Sequence, residues 1–450
     1  MEAVGTLASK FSGPAVRADR QDVATPSTAT ALTDPLFGKA THKHFPQLHH
    51  GLLGQSALTG EPVYLNTDAP FCLVAVGVQG AGKSHSVSTV IENCMLDVPR
   101  ITHADKPCAT LVFHYDTDQA NYCQAATLTS PNESARIPPP VPVVERLIIL
   151  VSPSFYYQRK RFYGNWPNCE VRPLLFRWRE MTAGTIKSLM RVPIDKDPPL
   201  YMGSVLGLLR RLQKEDSFPT LASFKEQLET LDFSTTQSAP LQQRLSLIES
   251  LLAESSENAA LPERIDLADA CAPGTVVICD LTDPMLSAPE SRGIFEVVLE
   301  RFRTLSLKCG KLVVLDEAHK FLTHSTSSDE LGSTIVELVR QMRHHGMRVV
   351  VSSQSPMTIP DELLELASVC LVHKFHSKDW FRRLQAKIPL DDAAFEAIME
   401  LPTGNAIVFA TRWRDFGEDV EGLGRGVRQI RVRERITADG GTSKVTSGSK

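Results

Sequence analysis

The residues from Gly77 to Ser84 have the types and the spacing that bind a chain of phosphates, G-x-x-x-x-G-K-S. Glycines let backbone N–H groups converge on phosphate oxygens, and the N-terminus of a following helix adds partial positive charge. Lys83 would neutralise the β- and γ-phosphates, and the Ser84 hydroxyl would bind Mg²⁺. The residues predicted to bind a nucleoside triphosphate are Gly77, Gly80, Ala81, Gly82, Lys83, Ser84 and His85.

The segments on either side of this loop are those that a phosphate loop requires. The run from Phe71 to Val76 is apolar and rich in β-branched residues, which predicts a strand buried on both faces. The segment from His85 to Met95 is predicted to be a helix. The alternative, a glycine-rich turn with a solvated lysine, leaves the apolar strand unexplained.

Acidic and amide side chains follow other predicted strands. Asp316 and Glu317 come after the apolar run 311–315, Asp116 ends the run 110–116, and Gln354 ends the run 348–354. In an open α/β sheet, ligands bind at the carboxyl ends of the strands. We expect Asp316 to hold Mg²⁺ and Glu317 to polarise an attacking water, which suits hydrolysis better than phosphate transfer by a small-molecule kinase. Gln354 would sense the γ-phosphate or orient the water, and a plain surface amide is the alternative.

Two arginines, Arg340 and Arg343, lie three residues apart on a helix predicted over 329–345, and so nearly on one face. One interpretation is surface salt bridging, which contributes little energy. The other is that one of them stabilises charge on the phosphoryl group of a nucleotide bound by a neighbouring subunit, worth about 10³ to 10⁵ in rate. The spacing of the two arginines alone does not decide between these two interpretations.

The segment 155–166 interleaves aromatic residues with three consecutive basic ones, Arg159, Lys160 and Arg161. Rings stack on bases and cations follow phosphates, so these three are candidate nucleic-acid contacts in a predicted loop. The alternative is a loop whose rings pack on neighbouring helices. A second alternating run is predicted as the solvated face of an edge strand: Arg431, Arg433 and Arg435.

Composition indicates an ordinary globular protein. The chain has 450 residues, of which 42% are hydrophobic and 22% charged, and a net charge of −4 gives no bulk attraction to nucleic acid. Nine cysteines without zinc-site spacing suggest free thiols in a reducing compartment. No apolar run is long enough to span a membrane and no secretory signal is evident. We therefore expect an intracellular, soluble protein of the cytoplasm or nucleus.

Apolar strands alternate with helical periodicities along most of the chain, which predicts an α/β fold with a mainly parallel sheet flanked by helices. Leucines at helical spacing between 205 and 252 predict three amphipathic helices, a helical subdomain inserted into the sheet domain. Four histidines at 42, 44, 49 and 50 favour a polar loop over a metal site, because the usual companion ligands are missing. The predicted boundaries are a disordered lead (1–30), the first part of the core (31–154), the helical insertion (155–270), the second part of the core (271–436) and a disordered tail (437–450).

The order of these motifs resembles the HerA/FtsK superfamily of ring-forming, DNA-pumping ATPases, and most of all its HerA-like branch. The resemblance runs from about residue 60 to 435. The segments that carry it are Gly77–Ser84, Asp316-Glu317-Ala-His319, Arg340-Gln-Met-Arg343, Ser353-Gln-Ser-Pro356, Ile359-Pro-Asp-Glu-Leu-Leu and Leu401-Pro-Thr-Gly404.

The resemblance implies a RecA-like P-loop NTPase core, ATP and Mg²⁺ as cofactors, hexameric assembly, and nucleotide bound between subunits. It makes Arg340 and Arg343 candidates for an arginine supplied in trans. HerA itself begins with a small β-barrel domain, which about 60 mostly irregular residues could not build here, so assembly and partner stay open. The leading hypothesis is a ring-forming DNA translocase or helicase. The alternative is a nucleotide-switched scaffold that binds a protein partner.

Overall fold

A computed structural model provides the structure of the chain. It describes residues 33–135, 137–190, 200–212, 214, 219–231, 233–323, 330–416 and 420–440. The predicted disordered lead lies outside the described residues, as do positions 441–450 of the predicted tail. No described helix is both long and apolar enough to cross a bilayer.

The strands join into one sheet. Their bounds are β1 Leu36–Phe37, β2 His50–Ser56, β3 Pro62–Asn66, β4 Cys72–Val76, β5 Thr102–His103, β6 Ala109–His114, β7 Arg146–Val151, β8 Cys169–Pro173, β9 Thr275–Asp280, β10 Lys311–Leu315, β11 Met347–Ser353, β12 Val369–Val372, β13 Asn405–Ala410, β14 Trp413–Arg414 and β15 Val427–Val432.

The α-helices lie on both faces of this sheet. Their bounds are α1 Lys39–His44, α2 Lys83–Met95, α3 Tyr156–Tyr163, α4 Ala183–Leu189, α5 Leu200–Leu212, α6 Leu221–Glu229, α7 Thr235–Ser250, α8 Leu267–Ala270, α9 Ala288–Thr304, α10 Glu330–His345, α11 Asp361–Leu366, α12 Lys378–Gln385 and α13 Ala394–Glu400.

One half of the sheet is parallel. Its strand order is β12-β4-β11-β10-β6-β9-β7-β8, and every neighbouring pair in that order runs parallel. The strand that leads into the phosphate loop, β4, is separated by β11 from β10, the strand that leads into the acidic pair. Alternate residues along these strands belong to two different apolar cores, one on each face. The predicted α/β fold class, a mainly parallel sheet flanked by helices, is confirmed.

The other half of the sheet is mostly antiparallel and extends it in the order β12-β13-β15-β2-β3-β1. Two predictions are wrong here. The described residues before β4 are not mostly irregular, since 36–66 supply three strands and α1. The four histidines fall in or beside α1 and β2 rather than in a polar loop. The strand β15 is not an edge strand either, because it lies between β13 and β2.

The helical region between 155 and 270 is continuous with the rest of the fold. The strand β8, within that range, pairs with β7 and extends the sheet. Buried leucines of α5, α6 and α7 belong to the same apolar core as one face of β4, β6 and β10. The inserted helices α5, α6 and α7 therefore add to the helical layer on one face of the sheet. The helix α2 packs on the opposite face.

Candidate active site

The phosphate loop connects the buried strand β4 to α2. Gly77 has φ +151°, and a Cβ there would come within 2.7 Å of the His373 Cβ. Gly82 precedes the first residue of α2 in the left-handed region, with φ +106°. These two positions require glycine, because a larger residue would strain the backbone and, at position 77, collide with His373, the residue after β12. The strand, the loop and the helix therefore follow one another in the predicted order, and Ala81 in the loop is buried, while nucleotide binding by these residues stays a prediction.

Lys83, the first residue of α2, is only 4% exposed. Its ammonium donates a hydrogen bond to the Val78 carbonyl at 3.0 Å. Burial lowers the pKa of Lys83, and the carboxylates of Glu317 and Asp316 act in the opposite direction. An ammonium has three N–H donors, so phosphate oxygens could accept from the two that do not point at Val78.

A cavity of about 430 Å³ lies over the carboxyl ends of the parallel strands. Side chains from separate parts of the sequence meet there: Lys83 and Ser84 on one side, and Asp316, Glu317 and Gln354 on the other. Other residues around it, all candidates for contacts with a nucleotide, are Gly80, Gly82, His85, His114, Asp116, Asn121, Lys320, Thr403, Gly404 and Asp439. The volume suits a small phosphorylated ligand.

Asp316 is 5% exposed and follows β10 directly. Burial raises the pKa of its carboxyl group, while the nearby His114 acts to lower it. Within the described part of the chain, the Oδ1 atom has no hydrogen-bond partner. A buried carboxylate oxygen facing a cavity is a suitable ligand for a hard cation, and the Ser84 hydroxyl lines the same cavity. These two residues therefore fit the predicted Mg²⁺ site.

Glu317 adopts left-handed backbone geometry, with φ +50°, which is uncommon outside glycine. Its Oε2 atom accepts a hydrogen bond from the Gln354 amide at 2.7 Å and lies 3.6 Å from Nε2 of His319. Gln354 therefore contacts the carboxylate itself, an arrangement that holds a general base in one orientation. The contact of His319 with the Glu317 carboxylate could not be predicted from the sequence, although His319 lies inside the quoted Asp-Glu-Ala-His segment.

Asp116 lines the cavity but is already paired. Its carboxylate forms an ion pair with Lys320 and accepts a hydrogen bond from Asn121 at 2.9 Å. Burial acts to raise the pKa of this carboxyl group, and the bonds from Lys320 and Asn121 outweigh it, so that the pKa is lowered. Asp116 thus stays ionised and connects the end of β6 to the turn after Glu317.

His373 is a structural contact that the sequence gave no reason to single out. It is fully buried after β12, and its Nδ1 atom lies 3.1 Å from the Asn405 carbonyl, to which a neutral ring donates. Its Nε2 atom then accepts from the Ser86 hydroxyl at 3.1 Å. Burial lowers the pKa of His373 to about 4. A neutral histidine therefore fixes the first turn of α2 against β12 and β13.

The two arginines of α10 do not line the cavity. Arg340 forms ion pairs with Glu337 at 3.3 Å and with Glu362, and all three side chains are substantially exposed. Arg343 is exposed near the end of the same helix. Within one chain both lie on the outer surface, so a role of either arginine at a neighbouring subunit's nucleotide stays a prediction.

The predicted nucleic-acid loop is a helix, α3, and one of its three basic residues is misassigned. Arg159 is 1% exposed, its guanidinium forms a buried ion pair with Asp280 at 2.6 Å, and it also donates to the Tyr163 hydroxyl. Arg159 is therefore a core residue and cannot contact nucleic acid in this structure. Lys160 and Arg161 are exposed on the outer side of α3 and remain candidates.

Comparison with known proteins gives structural likenesses only. No family model matches the chain, and neither does any curated protein. Among solved structures, VirB4 of Thermoanaerobacter pseudethanolicus has a TM-score of 0.47 and 13% identity, over 85% of this chain and 96% of that one.

Two further solved structures are similar over most of their length. The bacterial conjugative coupling protein TrwB, as TrwBdeltaN70, has a TM-score of 0.43 and 16% identity, over 86% of this chain and 90% of that one. B204, the DNA-packaging ATPase from Sulfolobus Turreted Icosahedral Virus, has a TM-score of 0.34 and 8% identity, over 81% and 98%.

Proposed function

We propose that this chain is an ATP-hydrolysing motor that resembles HerA-type DNA translocases and acts as a ring on DNA. One observation carries the hydrolytic part of the proposal: Lys83 and the acidic pair at 316–317 line one cavity at the carboxyl ends of β4 and β10, two parallel strands separated by β11. This is the arrangement in which a polyphosphate and an activated water can meet.

Each side chain has a task in that reaction. Lys83 and the backbone N–H groups of residues 80–84 bind and orient the β- and γ-phosphates. Ser84 and Asp316 would hold Mg²⁺, which supplies charge neutralisation when bound. Glu317, oriented by Gln354, accepts a proton from water as it attacks the γ-phosphorus, and the ADP oxygen leaves in line.

The action on DNA is supported by the motif order and by two exposed cations on α3, Lys160 and Arg161. The proposed hexamer would complete the site with Arg340 or Arg343 from a neighbouring subunit. For that role the exposed ion pairs of Arg340 with Glu337 and Glu362 would have to open, a change that costs little at a surface.

A second candidate function is an ATP-switched scaffold that binds a protein partner without moving DNA. The burial of Arg159 favours it, because the basic and aromatic segment offers fewer cations to nucleic acid than its sequence suggests. The net charge of −4 adds no attraction of its own.

Steady-state ATPase assays with and without double-stranded DNA separate the two functions. The motor predicts ATP turnover that DNA stimulates and that salt reduces steeply, since phosphate contacts release counterions. The variant Lys83→Ala should abolish turnover under both conditions. Turnover that is unaffected by DNA at low salt, with no DNA binding, would contradict the motor and leave the scaffold.

A further inference from the structure

Three side chains with metal-binding atoms lie close together, and one of them belongs to the acidic pair at 316–317. They are His114 at the end of β6, Cys123 in the following loop and Asp316 after β10. The ligand atoms of all three lie within 4.8 Å of one another. Each residue is at most 5% exposed, so the cluster is fully inside the protein.

The polar atoms of this cluster are not satisfied by the rest of the fold. Neither ring nitrogen of His114 has a hydrogen-bond partner among the described residues, and the same is true of Oδ1 of Asp316. The Nδ1 atom of His114 lies 3.8 Å from Oδ2 of Asp316, and the Cys123 thiol donates a hydrogen bond to the same oxygen, with 3.8 Å between sulfur and oxygen. A buried imidazole with two unsatisfied nitrogens is costly and is rare in folded proteins.

Two of the three ligand separations are close to those of a four-coordinate zinc site, and the third, between His114 and Cys123, is at most 4.8 Å. Zinc bonds of about 2.3 Å to sulfur and about 2.0 to 2.2 Å to nitrogen and oxygen separate tetrahedral ligand atoms by roughly 3.4 to 3.6 Å. The two observed separations of 3.8 Å need a shift of only a few tenths of an ångström. A set of one imidazole, one thiolate and one carboxylate suits Zn²⁺ or Co²⁺ and is a poor choice for Mg²⁺, which prefers oxygen ligands.

We propose that His114, Cys123 and Asp316 form a binding site for a thiophilic divalent cation such as Zn²⁺, separate in ligand type from the Mg²⁺ site. The cation would bond to sulfur as the thiol proton leaves to solvent, and it would exchange its water ligands for the imidazole and the carboxylate. Both His114 and Asp316 line the nucleotide cavity, which supplies the path of entry and the water for the fourth position.

Occupation of this site has a consequence for hydrolysis, and this consequence rests on the proposed function. Asp316 belongs to both sites, so a cation on its Oδ2 atom withdraws negative charge from the Mg²⁺ ligand. We expect Zn²⁺ to inhibit ATP turnover, and we expect the Cys123→Ser variant to resist that inhibition.

Cobalt is the probe for binding itself, in the absence of nucleotide. Titration of the full chain with Co²⁺ should give a thiolate-to-cobalt charge-transfer band that saturates at one equivalent. The Cys123→Ser variant should lose the band, and His114→Ala should weaken cobalt binding by about 100-fold. Cys169, which lies outside the cluster, gives the matched control Cys169→Ser, whose band should be unchanged.

Circular dichroism checks that each variant is folded. Because Cys123→Ser and His114→Ala test the site independently, one folded variant is enough for the test. A band that persists in folded Cys123→Ser overturns the proposal, and so does the absence of a band in the unaltered chain, which would leave water as the partner of His114. The Lys83→Ala variant separates the two proposals: it should lose nucleotide binding and keep the cobalt band.

Discussion

The two ends of α2 lie against two polar regions that differ in how completely their groups are paired. At its first turn, the cavity leaves buried groups without partners, among them Oδ1 of Asp316 and both nitrogens of His114. At its last turns, Glu92 is fully buried and paired on both oxygens. It accepts from Arg433 at 2.8 Å, from the Thr437 hydroxyl at 2.6 Å, and from the N–H groups of residues 436 and 437.

This difference distinguishes a site from a structural network. Unsatisfied buried groups cost stability, so a fold retains them where a ligand supplies the missing partner. The network around Glu92 is nearly closed instead, and it joins the chain after β15 to the helix that carries the phosphate loop. We expect changes at the first region to alter chemistry and changes at the second to alter stability.

The largest effect on stability is expected at Glu92. The substitution Glu92→Gln leaves the buried guanidinium of Arg433 without its carboxylate, which costs about 3 to 5 kcal/mol. Urea denaturation should show a clear drop in the midpoint. The matched control is Glu300→Gln, which breaks an exposed pair with Arg303 and should change the free energy of unfolding by about 0.5 kcal/mol or less. Equal effects of the two substitutions would contradict the comparison.

The next largest effect is expected in the dependence of stability on pH. The pKa of His373 falls from its ordinary value of 6.5 to about 4, so between these values the unfolded chain binds a proton that the folded chain does not. The contribution of neutral His373 to the free energy of unfolding is therefore fully present above about pH 6.5. It is lost as the pH drops toward 4, which lowers the free energy of unfolding by up to about 3 kcal/mol.

His50, on β2, has a pKa lowered to about 4 mainly by burial and should contribute with the same sign. Urea midpoints measured from pH 7 to pH 4.5 should decline for the unaltered chain. The variants His373→Asn and His50→Asn should each remove part of that decline. A decline that is unchanged in both variants would show that neither histidine causes it.

The smallest effect is expected on the outer face of α3. The variants Lys160→Ala and Arg161→Ala should each change the free energy of unfolding by less than about 0.5 kcal/mol. If α3 contacts DNA, each should reduce the slope of log affinity against log salt by about 1. Arg159→Ala, by contrast, leaves Asp280 buried and unpaired and should destabilise the fold by several kcal/mol. A normal salt slope in both surface variants would remove α3 from the DNA interface.

Most strands of the parallel half of the sheet could be predicted from sequence because they are continuous apolar runs. The exception is β8, whose residues are Cys-Glu-Val-Arg-Pro and only partly buried. The run that became β10 ends one residue before Asp316, and the phosphate-loop spacing needs no tertiary information. In the antiparallel half, β15 was predicted as a strand but placed at an edge. The strand β2 could not be predicted, since His50 to Ser56 contains glycine and polar residues that gain strand geometry only by pairing with β3 and β15.

The partners of buried charged side chains could not be predicted from the sequence either. Arg159 and Arg433 resemble surface cations in the sequence, and only the fold brings Asp280 and Glu92 beside them. The same holds at the start of the predicted disordered tail, where Thr437 is buried against Glu92 and Ala438 donates to the Ser130 carbonyl.

A polyphosphate bound at residues 77–84 with Glu317 as the base across the same cavity can be tested by ATP binding and hydrolysis in Glu317→Gln and Lys83→Ala. We expect Glu317→Gln to bind ATP normally and to lose turnover by about 10² to 10⁴-fold, while Lys83→Ala loses ATP binding as well. Undiminished turnover in Glu317→Gln, or normal ATP binding in Lys83→Ala, would contradict this arrangement.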